Sequence, residues 1–163
     1  MGLNRIYLLD TNIVSEPTKI NPQSRVLSTL DEKCMFSQIC VPVWFELLKG
    51  VYVLAEGKKR SFLEDFTINY VQSNFPILPY DAHCAHVQAD IYARMQKNGT
   101  QISMLDMQIA ATAIANNLIV VTRNKKHFEP IQREFSLMVE NWFEVKKNAR
   151  PQNENERISY PLC

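Results

Sequence analysis

Glycine is scarce in this chain, with four among 163 residues. Neither GxGxxG nor a GxxxxGKS/T run occurs, so the loops that cradle nucleotide phosphates by backbone amides are missing. Cysteine is equally sparse. Cys34, Cys40, Cys84 and Cys163 form no CxxC pair and no zinc-like spacing with histidine, which argues against a metal staple and fits a reduced chain with scattered core thiols. No apolar run approaches the roughly 20 residues of a membrane-spanning helix. The opening MGLNRIYLLD reaches Asp10 too early for a signal peptide, so a cytoplasmic protein away from membranes is expected. Neither sign of charge dominates. Eighteen Lys and Arg face seventeen Asp and Glu, a net charge of +1. Any polyanion must therefore be gripped at a local site and not by bulk charge.

What is present is a core. At 46% hydrophobic and 21% charged, the chain suits one globular domain. Ile6–Leu9 is a short apolar run stopping at Asp10, which predicts a buried strand. Pro17 and Pro22 bracket a loop, and a short helix follows around Val26, Leu27 and Leu30. Met35–Val41 predicts a second strand ended by Pro42. The spacing of Val43, Leu47, Leu48, Val51 and Leu54 predicts a helix. A basic hinge, Lys58-Lys59-Arg60, leads into another helix carrying Phe62, Phe66 and Val71. Ile77-Leu78 is a very short strand. Asp81 caps the next helix, which stops at Asn98-Gly99. Ser103–Asn117 is Ala-rich and helical, Leu118–Thr122 is a strand covered on both faces, and Phe135–Val139 is the last strand. The polar segment from Lys146 onward is expected to be mobile. Strands alternating with helices imply right-handed crossovers and a parallel sheet between helical layers. In such folds the site lies beyond the carboxyl ends of the strands.

Polar residues stand at those ends. Asp10 follows the first strand in Asp10-Thr11-Asn12, although an Asp there also suits a self-bonded turn. Glu46 lies one turn into the helix after the second strand, among Trp44, Phe45, Leu47 and Leu48. It is either buried and in need of a partner or paired with Lys49 on a solvated face. Asp106 lies three residues after Ser103, which is also a capping-box spacing. Asn124 follows the LIVVT strand, with Arg123, Lys125, Lys126 and His127 around it. Each has an ordinary explanation singly. Together they bring four distant segments to one edge of the sheet. Clustered carboxylates repel unless a cation neutralises them, and oxygen ligands without His or Cys select Mg²⁺ or Mn²⁺. Such an ion lowers the pKa of water and stabilises in-line displacement at phosphorus. Phosphodiester hydrolysis is the natural chemistry.

The segments IYLLDTNIVSEP, VPVWFELLKG, ILPYD, ISMLDMQIAATAIANNLIVVTRN and MVENW resemble the PIN-domain ribonucleases, in particular the VapC toxins of bacterial toxin–antitoxin pairs. The resemblance runs from about Ile6 to Trp142. It implies a three-layer α/β/α sandwich with a central, mainly parallel sheet over residues 1–145, followed by the polar tail 146–163. It also implies a metal-dependent endoribonuclease, cytoplasmic, that attacks structured RNA, often tRNA, and is silenced by a small antitoxin. On matching positions Asp10, Glu46 and Asp106 are the metal-site acids, with Mg²⁺ the expected ion and Mn²⁺ its substitute. The fourth acid of the family falls at Asn124, a neutral group able to orient water at a weaker second-metal site. His127 stands where many relatives carry Asp.

Arg123, Lys125 and Lys126 are the expected phosphate contacts, with Lys49 and Lys58–Arg60 as a further rim. Tyr7 and Phe128 are expected in the core, and His83 and His86 at the surface. Apolar surface near Leu48, Val51 and Phe62 would suit a homodimer and an antitoxin segment. Two other readings stand beside the nuclease. A non-catalytic PIN-fold module binding RNA or a protein would explain Asn124. An aspartyl-phosphate phosphohydrolase would need a second Asp at position 12, where this chain has Asn12.

Overall fold

The computed structural model describes residues 6–144; the expectation for the tail 146–163 lies outside them. Five strands form one all-parallel sheet in the order β3-β2-β1-β4-β5. They are β1 (Tyr7–Leu9), β2 (Ser37–Cys40), β3 (Ile77–Leu78), β4 (Ile119–Val121) and β5 (Met138–Glu140). Tyr7, Leu8 and Leu9 pair with Ile119, Val120 and Val121, and Tyr7 and Leu8 pair on the other side with Ser37 and Gln38. Every residue of β1 and β2 is buried, as parallel strands covered on both faces must be.

Helices α1 (Thr11–Val14) and α2 (Ser24–Lys33) link β1 to β2. Between β2 and β3 run α3 (Val41–Tyr52), α4 (Lys58–Asp65), a π-helical segment Phe66–Val71 and the short α5 (Gln72–Asn74). The chain then crosses to the opposite side of β1 through α6 (Ala82–Lys97) and α7 (Met104–Ala115), and α8 (Lys125–Gln132) links β4 to β5. Because crossovers between parallel strands are right-handed as a rule, reversing direction across the sheet changes the face on which the helices lie. Accordingly α6, α7 and α8 pack against one another. The reversal puts a crevice beyond the carboxyl ends of the adjacent strands β1 and β4, where loops depart in opposite directions.

Several boundaries match the sequence. Ile77-Leu78 is a strand, Asp81 accepts from the Cys84 amide at 2.9 Å, and Ser103 caps α7. Gly99 (φ 65°) follows α6 and Asn117 (φ 53°) follows α7, both in the left-handed region that ends helices. Trp142 is buried and meets Tyr7 edge-on at 5.4 Å, and Phe128 is fully buried.

Other expectations are corrected. Pro42 does not end β2 from outside but sits in the first turn of α3, where its missing N–H costs nothing. Cys34–Phe36 is a 3₁₀ turn, so β2 begins at Ser37. The loop bracketed by Pro17 and Pro22 is irregular from Lys19 to Gln23, and only its start is ordered, as the end of a 3₁₀ turn, Glu16–Thr18. Lys58-Lys59-Arg60 is the first turn of α4 and no hinge. The last strand starts at Met138, three residues later than Phe135. Residues 125–132, to which no element is assigned from sequence, form α8 despite Pro130 inside it.

Candidate active site

Asp10 ends β1 and caps α1. Its Oδ1 accepts from the Thr11 amide at 2.7 Å, and its Oδ2 accepts from Asn12 Nδ2 and Thr122 Oγ1, each at 2.7 Å. Those bonds use three of about four acceptor positions on a carboxylate. Burial pushes the Asp10 pKa above the ordinary aspartate value, against the lowering effect of Thr122 and the Thr11 amide; the Glu46 and Asp106 carboxylates raise it further. Among the described residues no Lys or Arg pairs with Asp10, Glu46 or Asp106. The negative charge at this edge is therefore left without a lysine or arginine counterion.

Glu46 belongs to the second turn of α3, and its Oε2 accepts from Thr11 Oγ1. It is half-buried, while its neighbour Phe45 is 57% exposed. Of the two readings of Glu46, burial is thus only partly right: Pro42 and Val43 face the core, and Val41 and Phe45 face solvent. Nor does Lys49 pair with Glu46; its ammonium lies over the Phe45 ring at 5.7 Å. Asp106 completes a capping arrangement, with its amide donating to Ser103 Oγ (3.0 Å) and Ser103 Oγ donating to its Oδ2 (2.7 Å). His127 Nδ1 lies 3.3 Å from the same Oδ2. The capping and functional readings of Asp106 hold together, because the cap fixes the carboxylate at the helix end that faces the crevice.

Asn124 reaches this edge by its backbone. Its amide donates to Thr122 Oγ1 at 3.0 Å, while its exposed side chain makes no hydrogen bond among the described residues. Arg123, Asn124, Lys125, Lys126 and His127 line a cavity of about 350 Å³ with Glu129 and Glu144. Arg60, in contrast, stacks on Tyr52 at 5.9 Å and donates to the Leu54 carbonyl at 3.3 Å. His83 and His86 are exposed on α6, as expected.

Thr11, Asn12 and Thr122 complete the site, although sequence reasoning gave them no task there. Thr122 is fully buried and its hydroxyl is saturated: it donates to Asp10 and accepts from Asn12 Nδ2 (3.1 Å) and the Asn124 amide (3.0 Å). Asn12 Oδ1 accepts from the Arg123 amide at 2.9 Å, tying the end of β1 to the loop after β4. The available signal was position: all three lie within two residues of Asp10 or at the end of the LIVVT strand.

Among the described residues no three His, Cys, Asp or Glu side chains close around a single ion. The donor set nevertheless suits Mg²⁺ or Mn²⁺. Mg²⁺ keeps several waters and typically uses only one or two carboxylates. A buried carboxylate with one acceptor position left, acted on electrostatically by two others, fits an open oxygen site of that kind.

Comparison with known proteins follows the same lines. The family model described as PIN domain matches residues 7–133. Toxin FitB of Neisseria gonorrhoeae is 37% identical over 129 residues, covering 76% of this chain and 91% of that protein. The VapC ribonuclease Y4jK of Sinorhizobium fredii is 33% identical over 130 residues, again covering 76% and 91%. The crystal structure of FitAcB from Neisseria gonorrhoeae superposes with a TM-score of 0.77 at 31% identity, covering 86% of this chain and all of that one.

Proposed function

The chain belongs to the PIN-domain family, and we propose that it is a metal-dependent endoribonuclease toxin, inhibited by a small antitoxin, whose substrate is structured RNA such as tRNA. One observation carries the reading. Asp10, buried at the switch point of a parallel sheet, is acted on by the charge of Glu46 and Asp106 from two other segments, and among the described residues none of the three has a lysine or arginine counterion. Similarity to a protein named as a ribonuclease and to one named as a toxin supports it.

Bound Mg²⁺ would supply a lowered water pKa and stabilisation of negative charge at phosphorus. Asp10, Glu46 and Asp106 would hold it. Asp10 is fixed by three donors, so its remaining lone pair has a set direction. The Thr11 hydroxyl orients Glu46, and Ser103 with His127 orients Asp106. Asn124 is the neutral member, its backbone anchored to Thr122 and its amide side chain free to position water. Arg123, Lys125 and Lys126 would meet the phosphates of the strand on the cavity side.

The test is RNA cleavage by the purified chain with Mg²⁺ or Mn²⁺. Cleavage should vanish with EDTA and in a folded Asp10→Asn variant. Undiminished cutting by that variant would sink the assignment. Mapping RNA ends after induction without antitoxin identifies the substrate. A chain that takes up no Mn²⁺ in calorimetry would instead be a non-catalytic binding module.

A further inference from the structure

The cavity beside the acids is lined in part by the chain's own carboxylates. Its wall carries Arg123, Lys125 and Lys126 against Glu129 and Glu144. Glu144 Oε2 lies 3.4 Å from Lys125 Nζ, and Asn141 Nδ2 donates to Glu144 Oε1 at 3.2 Å. The segment bearing it is anchored at two adjacent residues. Arg25 on α2 donates to the Glu144 carbonyl at 3.1 Å, and the Phe143 ring lies 5.0 Å from the Arg123 guanidinium. His127 joins the two regions, because it lines the cavity while its Nδ1 lies 3.3 Å from Asp106.

A carboxylate and a phosphate oxygen make the same demand on an ammonium group, a short charge-assisted hydrogen bond. We infer that this cavity is the subsite for an RNA phosphate flanking the cut, and that Glu144 is a built-in competitor which that phosphate must displace from Lys125. The inference rests on the nuclease reading for the identity of the strand, and on the Lys125–Glu144 contact for the competition. Glu144 thereby sets how tightly RNA is held without touching the acids that would do the cutting. Both partners are partly exposed, with side-chain exposures of 38% for Lys125 and 59% for Glu144. The effect is accordingly modest: an exposed ion pair of this kind corresponds to about a two- to fivefold change in affinity.

The experiment is fluorescence anisotropy of the full chain with a short, fluorescein-labelled single-stranded oligoribonucleotide of mixed sequence, in EDTA so that nothing is cut. Glu144→Gln should tighten binding about two- to fivefold. Glu134→Gln makes the same charge change beside Arg94, outside the cavity, and should leave affinity unchanged. Lys125→Gln should weaken binding, and in that background Glu144→Gln should lose most of its gain. Equal tightening by Glu134→Gln, no tightening by Glu144→Gln, or no RNA binding by the unaltered chain would each overturn the inference. Cleavage is read separately. A chain that cuts no RNA with Mn²⁺ yet shows this binding pattern keeps the subsite and loses the nuclease; one that cuts without the pattern does the reverse.

Discussion

Replacing Thr122 by valine removes one oxygen from a place where three partners meet and leaves the side-chain shape nearly intact. The hydroxyl donates to Asp10 Oδ2 at 2.7 Å and accepts from Asn12 Nδ2 at 3.1 Å and the Asn124 amide at 3.0 Å. The bond to a carboxylate is worth about 1.5–3 kcal/mol, and a neutral bond about 0.5–1.5 kcal/mol. Asn12 keeps its bond to Asp10, so its loss counts for little. The Asn124 amide, on an exposed residue, can turn to water. A destabilisation of about 2–3 kcal/mol follows, or roughly 4–12 °C in Tm for a chain of this size. Asp10 also loses the largest influence holding its pKa down, so the variant should bind Mn²⁺ more weakly. Thr122→Ser is the control, since it keeps the hydroxyl and loses only a buried methyl group. Urea unfolding in EDTA gives the stability, and calorimetric Mn²⁺ titration gives the affinity. Should Thr122→Val unfold at the serine variant's midpoint and bind Mn²⁺ as the unaltered chain does, the proposed hub at Thr122 is wrong.

Two further outcomes follow from buried carboxylates. The folded pKa of Asp10 is raised, so the native state holds its proton more tightly than the unfolded chain; its contribution to metal-free stability is fully present below the ordinary aspartate value and is lost as pH rises through the raised one. The difference in unfolding free energy between the unaltered chain and Asp10→Asn, in EDTA, should therefore shift against the unaltered chain as pH rises across that window, and a flat difference would contradict the burial argument. Glu16 is 1% exposed, pairs with Lys19 and accepts from the Gln23 amide at 2.8 Å. Glu16→Ala should cost about 1–3 kcal/mol in urea unfolding by orphaning that amide, with Mn²⁺ affinity unchanged because Glu16 makes no contact with the acids.

The legible parts of the molecule were those that the sheet dictates. A run such as LIVVT has to be a strand covered on both faces, and a carboxylate directly after such a run has to stand at the carboxyl edge. Asp10 and the loop after β4 followed from that alone, and the Ser103–Asp106 spacing fixed the start of α7. Helix α8 escaped because it is short and carries Pro130, so that only two buried residues, Phe128 and Ile131, three apart, mark its helical face. The exposed side of α3 escaped for a related reason. Val41, Phe45 and Tyr52 carry its outward apolar surface, while Val51, expected there, is 2% exposed and packs inward; Leu48 is half-buried and Phe62 on α4 exposed. Periodicity identifies a helix but does not say which of two apolar stripes meets the core.

The hydroxyls and amides that organise the acids were the least legible, and the reason is physical. A carboxylate announces a site because its charge must be answered. Thr11, Asn12 and Thr122 are neutral, and a threonine at a strand end is ordinary by composition. Their roles come from pairings between residues more than thirty apart in the chain: Thr11 with Glu46, and Asn12 and Asp10 with Thr122. The near-balance of charge has the same character. It excludes binding by bulk charge, yet says nothing of the sorting that the fold achieves. Acids stand after β1, in the second turn of α3 and in the first turn of α7, bases follow β4, and Glu129 and Glu144 sit among those bases as counterweights. If that sorting governs RNA affinity, salt should weaken binding through the few cavity cations only, and the charge of the remaining surface should be nearly silent.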